Sequence, residues 1–541
     1  MNTPSMSSVA REWAVALTRI PSINGSSDEA RFADHFVELL KSRHVFAAAG
    51  AEITTIPVDR DPLGRKVVAV LVRGLGNDTV VLTGHYDTVG INDYGDLKSL
   101  ALEPELLRSA LIERLRTTAH SASEKRALAD LETGGFLPGR GLLDMKAGLA
   151  AGLAVVEGFA SQPKRAGNLL FLAVPDEEAT SCGARQVAGS LADFSSQRGL
   201  VPNAIINLDS AADDGAGHVG RTVALGSIGK LLLTAYVVGL PAHACYPFAG
   251  INAGALAGAI AADVEWSNAL ADPGRGIPGL PPTLLSIKDC KQHYDVTTPA
   301  SVWGTWNALT YGRRPDDLLA AFAQVCRCAV TQAVAKLSTC NEFNLALEVS
   351  DVPVLDFATL YRSVLATDAN TQIEYEGFAE SIAERGVSLP EQCRQLTEAI
   401  WLRSGRSGPA VVVGYGSLPY LPVSLSTAPQ AQKLRNAVDA ACRRVSQTAD
   451  STVTQIAFFQ GISDVSFLGE ADMTVIPDIA VNTPVWGHAI RWPKFSAVAG
   501  VPTINAGPWG RDYHTPLERL HEEYAFHVLP RLLQAIIDEV F

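Results

Sequence analysis

Four apolar runs in this chain end in ionisable residues, and this pattern constrains the fold more than any other. They are VVLTGHYD, GRGLLDMK, FLAVPDEE and IINLDS, which carry His85 and Asp87, Asp144, Asp176 to Glu178, and Asp209. Short β-branched runs such as ITTIPV, KVVAVLV and DTVVLTGH alternate with helical stretches such as MKAGLAAGLAVVEGFA. That alternation predicts an α/β fold whose mixed, mostly parallel sheet is flanked by helices. In open α/β sheets, ligands bind beyond the carboxyl ends of the strands. A late loop, DYHTP around His514, can join the same edge.

A chain of 541 residues exceeds one compact core. Near Arg221 the pattern restarts, with a new strand run (GKLLLTAYVVGL), two long helical segments and the strands VWGTWNALTYG and FNLALEVSDV. We expect a first domain built from residues 1–221 and 425–541, interrupted by a smaller inserted α+β, two-layer domain over 222–424. An extra helical segment is expected near 355–405. The net charge of -13, without long Lys/Arg blocks, argues against nucleic-acid or anionic-membrane partners. No secretion signal is legible, and no stretch approaches ~18 uncharged apolar residues, so no membrane span and a cytoplasmic location are expected. The eight scattered cysteines then read as reduced and structural. Cys326 and Cys328 lack a nearby second pair and read as part of a helix.

Clustered carboxylates repel one another unless a cation neutralises them. With two histidines among them, they point to a metal, and His/Asp/Glu donors suit zinc, cobalt or manganese. Residues two apart on an extended segment share a side. His85 can therefore bind metal through one ring nitrogen while Asp87 accepts the other N–H or fixes it indirectly. In DEE, adjacent acids point in different directions, so one can ligate metal while the other faces a substrate water. Taken singly, H-x-D reads as a turn pair and DEE as an acidic surface loop. His488, in the loop TPVWGHAIRWP, reads as neither ligand nor pocket lining.

In order and spacing, GHYDTV, GRGLLDMKAGLA, PDEEATSCGAR, INLDS and DYHTP resemble one family. It comprises the dizinc metallopeptidases and amidohydrolases that include aminoacylase, acetylornithine deacetylase, succinyl-diaminopimelate desuccinylase and carboxypeptidase G. The phrase ETGGFLPGRGLLDMKAG, the long spacer before it and PAVVVGYGSLPYLP look like the RocB, arginine-utilisation branch. The resemblance implies two divalent ions, most readily zinc, with cobalt or manganese as alternatives. It implies that His85 and Asp209 bind one ion, Glu178 and His514 the other, and that Asp144 bridges them. Glu177 would be the general base and acid, Asp87 would orient His85, and the Asp144–Met145 peptide would be cis. The inserted domain would serve as lid and homodimer interface, with His243 reaching the partner's site to polarise the scissile carbonyl and Asn252 shaping its loop.

Two positions depart from the family pattern. Asp209 stands where Glu is commoner, with Asp213 and Asp214 nearby. Neither Arg313 nor Arg314 falls clearly where an arginine would bind a substrate carboxylate, and Asn307 serves as well.

These readings predict a metal-dependent hydrolase of amino-acid catabolism that cleaves an amide bond in a small peptide or N-acyl amino acid. A metal-bridging hydroxide would be the nucleophile. The alternatives are an N-carbamoyl or other non-peptide amidohydrolase, a non-hydrolytic metal-binding regulatory or carrier protein, and a cysteine hydrolase using Cys182.

Overall fold

KVVAVLV forms the strand Lys66–Val72 and is buried from Val67 to Val72. An apolar run without alternation suits a strand covered on both faces. The structure, a computed structural model, describes residues 5–213, 220–274, 279–339, 351–367, 370–448, 452–459, 461–492 and 500–541. Lys66–Val72 belongs to an eight-stranded sheet ordered Glu52–Pro57, Lys66–Val72, Ala166–Val174, Leu75–His85, Val201–Asn207, Thr503–Asn505, Thr222–Ala224, Thr454–Ile456. From Ala166–Val174 to Thr503–Asn505 the neighbours run parallel, and antiparallel pairs flank them. The α/β architecture with a mixed, mostly parallel sheet is therefore present. Parallel strands deliver their carboxyl ends to one edge. His85, the acids after Val174 and Asp209 all leave the sheet there.

The helix Ala147–Ser161 is buried over almost its whole length. Its small residues are a packing requirement, because a Cβ on Gly148 would lie 2.1 Å from the Leu208 carbonyl oxygen. The polar turn before the helix Ser27–Ser42 ends in Ser26, whose side chain accepts the N–H groups of Asp28 and Glu29 as an N-cap. One of the four apolar runs that end in acids is not a strand. GLLDMK is instead a tight turn over Leu142–Lys146, preceded by the left-handed Gly141 (φ 70) and leading straight into the next helix. Its apolar pair, Leu142 and Leu143, is buried in the core rather than in a sheet.

The chain divides into two units: Met1–Ser227 with Val423–Ala471 and Pro493–Phe541, and Ile228–Pro422 with Asp472–Trp492. The second unit contains a five-stranded sheet ordered Thr283–Asp289, Ser301–Thr310, Gly229–Val238, Ala410–Tyr415, Val354–Asp356. The helices Ala253–Val264 and Pro315–Thr339 pack on it and on each other. Three more helices, Phe357–Leu365, Thr371–Ala383 and Leu389–Arg403, occupy the region read as an extra helical segment. Most of the run FNLALEVSDV lies outside the described residues. One helix, Pro315–Leu337, is by length and composition apolar enough to cross a membrane, although Arg327 interrupts it. Its apolar side has a different partner. Leu318, Phe322, Cys326 and Val330 are buried, and Phe322 packs 5.4 Å from the ring of Trp306 on the sheet.

A small four-stranded sheet in the first unit joins Phe136–Pro138, Arg519–His521, Trp509–Arg511 and Ala211–Asp213. His521 lies here, 4.6 Å from Trp509 and 5.0 Å from Phe136 between ring centroids, and its Nδ1 accepts the Tyr524 N–H at 3.1 Å. Burial, with Arg221 and Arg511 nearby, lowers its pKa to about 4. An unfolded histidine titrates near ~6.5, so below that pH the unfolded chain binds a proton that the folded chain refuses. The stability contributed by neutral His521 is complete above that pH and is lost as pH falls toward about 4. His521→Phe should flatten the pH dependence of the urea midpoint in this window. An unchanged slope would contradict the assignment.

Candidate metal centre

His85 closes its strand where Gly84 leaves no room for a side chain. A Cβ there would sit 2.1 Å from Met145 Cε, and the His85 N–H donates to Met145 Sδ at 3.1 Å. The ring Nδ1 lies 3.0 Å from the Asp87 carbonyl oxygen and 3.6 Å from the Asp87 carboxylate. A carbonyl only accepts, so Nδ1 carries a proton, and Nε2 is the nitrogen turned toward Asp144. The Asp87 carboxylate has other donors. It accepts the N–H groups of Glu177 at 3.1 Å and Glu178 at 3.2 Å, and Asn24 Nδ2 at 2.9 Å. Asp87 therefore holds the histidine through its backbone and the acidic turn through its side chain.

Asp144 stands between two imidazoles. Its Oδ1 is 3.2 Å from His85 Nε2 and its Oδ2 is 3.2 Å from His514 Nε2. The peptide to Met145 is cis. His514 Nε2 also lies 3.0 Å from Glu178 Oε1. His85, Asp144 and Asp209 form one group with donor atoms within 4.8 Å of each other, and Asp144, Glu178 and His514 form a second. Glu177 stands outside both groups, with Oε2 3.9 Å from His85 Nε2. The structure thus brings together all five residues read as ligands and the residue read as base.

The electrostatics show strain between like charges. Burial, with Asp209 and Glu178 adding repulsion, raises the Glu177 pKa well above its ordinary value. Burial and Asp144 raise Glu178, and the same causes take Asp209 to about 7. Burial also opposes ionisation of Asp144, but hydrogen bonds from His514 and His85 outweigh it and hold the carboxyl low. For His514, burial is overcome by hydrogen bonds to Asp144 and Glu178, and the pKa rises to about 10. So many buried acids around two imidazoles are stable only with compensating positive charge. Carboxylates and imidazoles in two groups of three, with the Asp144 carboxylate common to both, fit a pair of divalent ions of the zinc, cobalt or manganese type.

Several supporting residues escaped the sequence reading. Asp464 is buried beside this cluster, and burial raises its pKa to about 7, Asp87 and Asp176 adding to the effect against His85 and Ser181. Asn505 accepts the Asp209 N–H at 3.2 Å and donates to the Asp209 carbonyl at 2.9 Å. Glu518, four residues past His514, accepts the Gly141 N–H at 3.0 Å and pairs with buried Arg140 at 2.7 Å, tying the histidine loop to the Asp144 turn. Asp176 is fully engaged with Arg65, at 2.6 Å, and with Thr180. Only the Ser-Asp before VSFL hints at any of these in sequence, and it reads as a helix start.

His243 lies in the second unit and belongs to neither ligand group. It is exposed, and its Nδ1 accepts the Cys245 N–H at 3.1 Å, so the neutral ring carries its proton on Nε2. Asn252 caps the helix Ala253–Val264 by accepting the Gly254 N–H at 2.8 Å. Arg313 donates to the Ala269 carbonyl, and Arg314 pairs with Asp316 and Asp478. Asn307 Oδ1 is buried without a hydrogen-bond partner among the described residues. Asp214 and the side chain of Asp213 lie outside the described residues. Burial and Asp176 push the Cys182 thiol far up, which keeps it protonated and removes it as a nucleophile.

Residues 121–482, more than half of the chain, match Peptidase family M20/M25/M40. The chain belongs to this family. Two Bacillus subtilis (strain 168) proteins are similar over nearly full length. YqjN is 28% identical over 96% of this chain and 94% of its own, and RocB is 28% identical over 96% and 92%. Among solved structures, a tripeptidase from Staphylococcus aureus matches with TM-score 0.52 and 15% identity over 99% of this chain and 98% of its own. The aminopeptidase PepT from Bacillus cereus matches with TM-score 0.52 and 15% identity over 99% and 100%. Those two likenesses are likenesses of fold. As a member of the peptidase family, the chain is an enzyme whose described residues include a candidate two-metal ligand set.

Asp144→Asn tests the sharing. An amide offers one neutral oxygen where the carboxylate offers two charged ones. Zinc retained after reconstitution and gel filtration should fall from about two per chain to one or fewer by elemental analysis. Full retention would show that Asp144 is not a common ligand.

Proposed function

We propose that the protein hydrolyses an amide bond in a small peptide or an N-acyl amino acid. The observation that carries this reading is the division of Asp144 between His85 and His514, with Glu177 beside both groups and in neither. On this reading His85 and Asp209 hold one divalent ion, Glu178 and His514 the other, and Asp144 both. Bound there, the ions would polarise the scissile carbonyl and make water nucleophilic near neutral pH. Zinc is the first choice, with cobalt and manganese as substitutes.

The remaining work falls to the chain. Glu177 takes a proton from the attacking water on a carboxylate oxygen and delivers it to the amide nitrogen as the C–N bond breaks. Its raised pKa favours the first step, since a weaker acid has a stronger conjugate base. Asp87 keeps the Glu177 backbone in place. His243, protonated on Nε2, donates to the oxyanion, and we assign it to the site of a second copy, which makes the working unit a homodimer with residues 222–424 as its lid and dimerisation domain. The likeness to RocB supports a place in amino-acid catabolism, and we place the reaction in the cytoplasm.

Glu177→Gln should lower kcat on a panel of dipeptides and N-acyl amino acids by about 100- to 10,000-fold, with KM and metal content nearly unchanged. A variant that keeps its kcat would remove Glu177 from the chemistry. His243→Ala alone should lose about 100- to 1,000-fold. Co-expressing it with Glu177→Gln should restore activity, because mixed dimers then contain one site with an intact Glu177 and a partner's His243. If no mixture exceeds its components, the histidine does not act across subunits.

A further inference from the structure

The second unit carries a solvent-open cavity of about 590 Å³, with Arg362 and Glu376 exposed at its mouth, and none of its lining residues belongs to the ligand set described above. That volume is in the range of small-molecule sites, about 300–1,000 Å³. One wall comes from the helices Phe357–Leu365 and Thr371–Ala383, the other from residues 480–488. The walls are fixed to each other. Asn482 Oδ1 accepts the Ala358 N–H at 3.0 Å, and the Tyr375 hydroxyl donates to the Pro484 carbonyl.

The lining is aromatic. Phe357 and Tyr361 lie parallel at 5.9 Å, Tyr361 and Tyr375 are 4.8 Å apart, and His488 meets Tyr375 edge-on at 6.2 Å. Trp486 completes the surface. His488 thus lines this cavity and belongs to neither ligand group.

Three charged side chains also line it, and only one is consumed by the fold. The Asp356 carboxylate caps its helix, accepting the Thr359 N–H at 2.7 Å and the Thr359 hydroxyl at 3.0 Å. Glu376 accepts only from the neutral Gln372 amide, at 2.9 Å. Arg362 donates to the Ala358 carbonyl at 3.2 Å and the Thr359 hydroxyl at 3.4 Å. Neither Glu376 nor Arg362 has an ion-pair partner among the described residues. A purely cationic ligand would meet Arg362, and a purely anionic one would meet Glu376. A zwitterion with an apolar body satisfies both, through charge-assisted hydrogen bonds and ring contacts.

We propose that this cavity binds a free α-amino acid with an aromatic or large apolar side chain. The carboxylate pairs with Arg362, the ammonium group with Glu376, and the side chain packs on Tyr361, Tyr375 and Trp486. The site is independent of the hydrolytic reading.

The test is titration of the full-length protein with L-phenylalanine, 3-phenylpropionate (no ammonium group) and phenethylamine (no carboxylate). Calorimetry measures binding, and the fluorescence difference from Trp486→Phe localises it. L-phenylalanine should give a saturable Trp486 signal. Each one-charge analogue, and each of Arg362→Met and Glu376→Gln, should weaken binding about tenfold or more with the melting midpoint unchanged. No saturable Trp486 signal would overturn the proposal. So would phenylalanine affinity preserved in both variants, which would place binding elsewhere, or an analogue binding as tightly as phenylalanine, which would replace zwitterion recognition with simple apolar uptake.

Discussion

The architecture of the first unit depends on one carboxylate placed between two imidazoles. Asp144 faces His85 and His514 at 3.2 Å each, and these residues come from a strand end, a turn before a helix and a loop in the C-terminal part of the chain. Three separate devices let them meet. The parallel strands set the edge from which His85 and Asp209 emerge. Gly84 and Gly148 let the Met145 side chain and the Leu208 carbonyl approach the strand and helix more closely than any Cβ would allow. Buried Glu518 and Arg140 join the histidine loop to the turn that carries Asp144. Left-handed backbone at Asp176 (φ 72) and His514 (φ 62) marks where the chain is bent against its own preference to do so.

Much of this was legible because the physics is local. Strands buried on both faces read as uninterrupted apolar runs, and acids directly after them are visible as such. The α/β sheet, the Ser26 cap and the helices after Phe357 all follow from residues adjacent in sequence. What was not legible depends on contacts made after folding. Asn505 and Asp209 are 296 residues apart, and Glu518 and Gly141 are 377 apart. Asp464 lies in a run indistinguishable from a helix start. The turn in GLLDMK was not legible because two leucines before an acid carry no period at all, and only Gly141 hints at it. The helix Pro315–Leu337 shows the reverse problem, since its apolar composition is shared by core helices and membrane spans and only its packing separates them.

The second unit illustrates how a chain break in sequence order becomes structure. Residues 472–492 return to this unit after the chain has re-entered the first. Their anchors explain why. The Asn482 carbonyl accepts the Tyr415 N–H at 2.8 Å, its side chain accepts from Ala358, and Arg314 pairs with Asp478. A strap held by backbone and side chain to a sheet strand, a helix start and a surface arginine is a rigid wall. Rigidity is what a preformed aromatic cavity requires, because ordering such a segment on binding would cost affinity. No pattern in the strap's own sequence announces this, since each of its anchors is more than 60 residues distant.

The division of labour we propose for the adjacent acids Glu177 and Glu178 follows from the backbone rather than from the side chains. Chemically the two are identical. Asp87 receives one amide on each carboxylate oxygen, which fixes both peptide planes at once. With the planes fixed, neighbouring side chains must diverge. Glu178 reaches His514 at 3.0 Å and is committed to that pair, whereas Glu177 stops 3.9 Å short of His85 Nε2, beyond hydrogen-bond reach. Asp209 and Asp464 then crowd Glu177 with like charge and raise its pKa further after burial. A ligand needs a carboxylate that stays ionised against a cation, and a base needs one that readily accepts a proton. A single buried aspartate, by holding two consecutive N–H groups, turns neighbouring residues of the same type toward different partners.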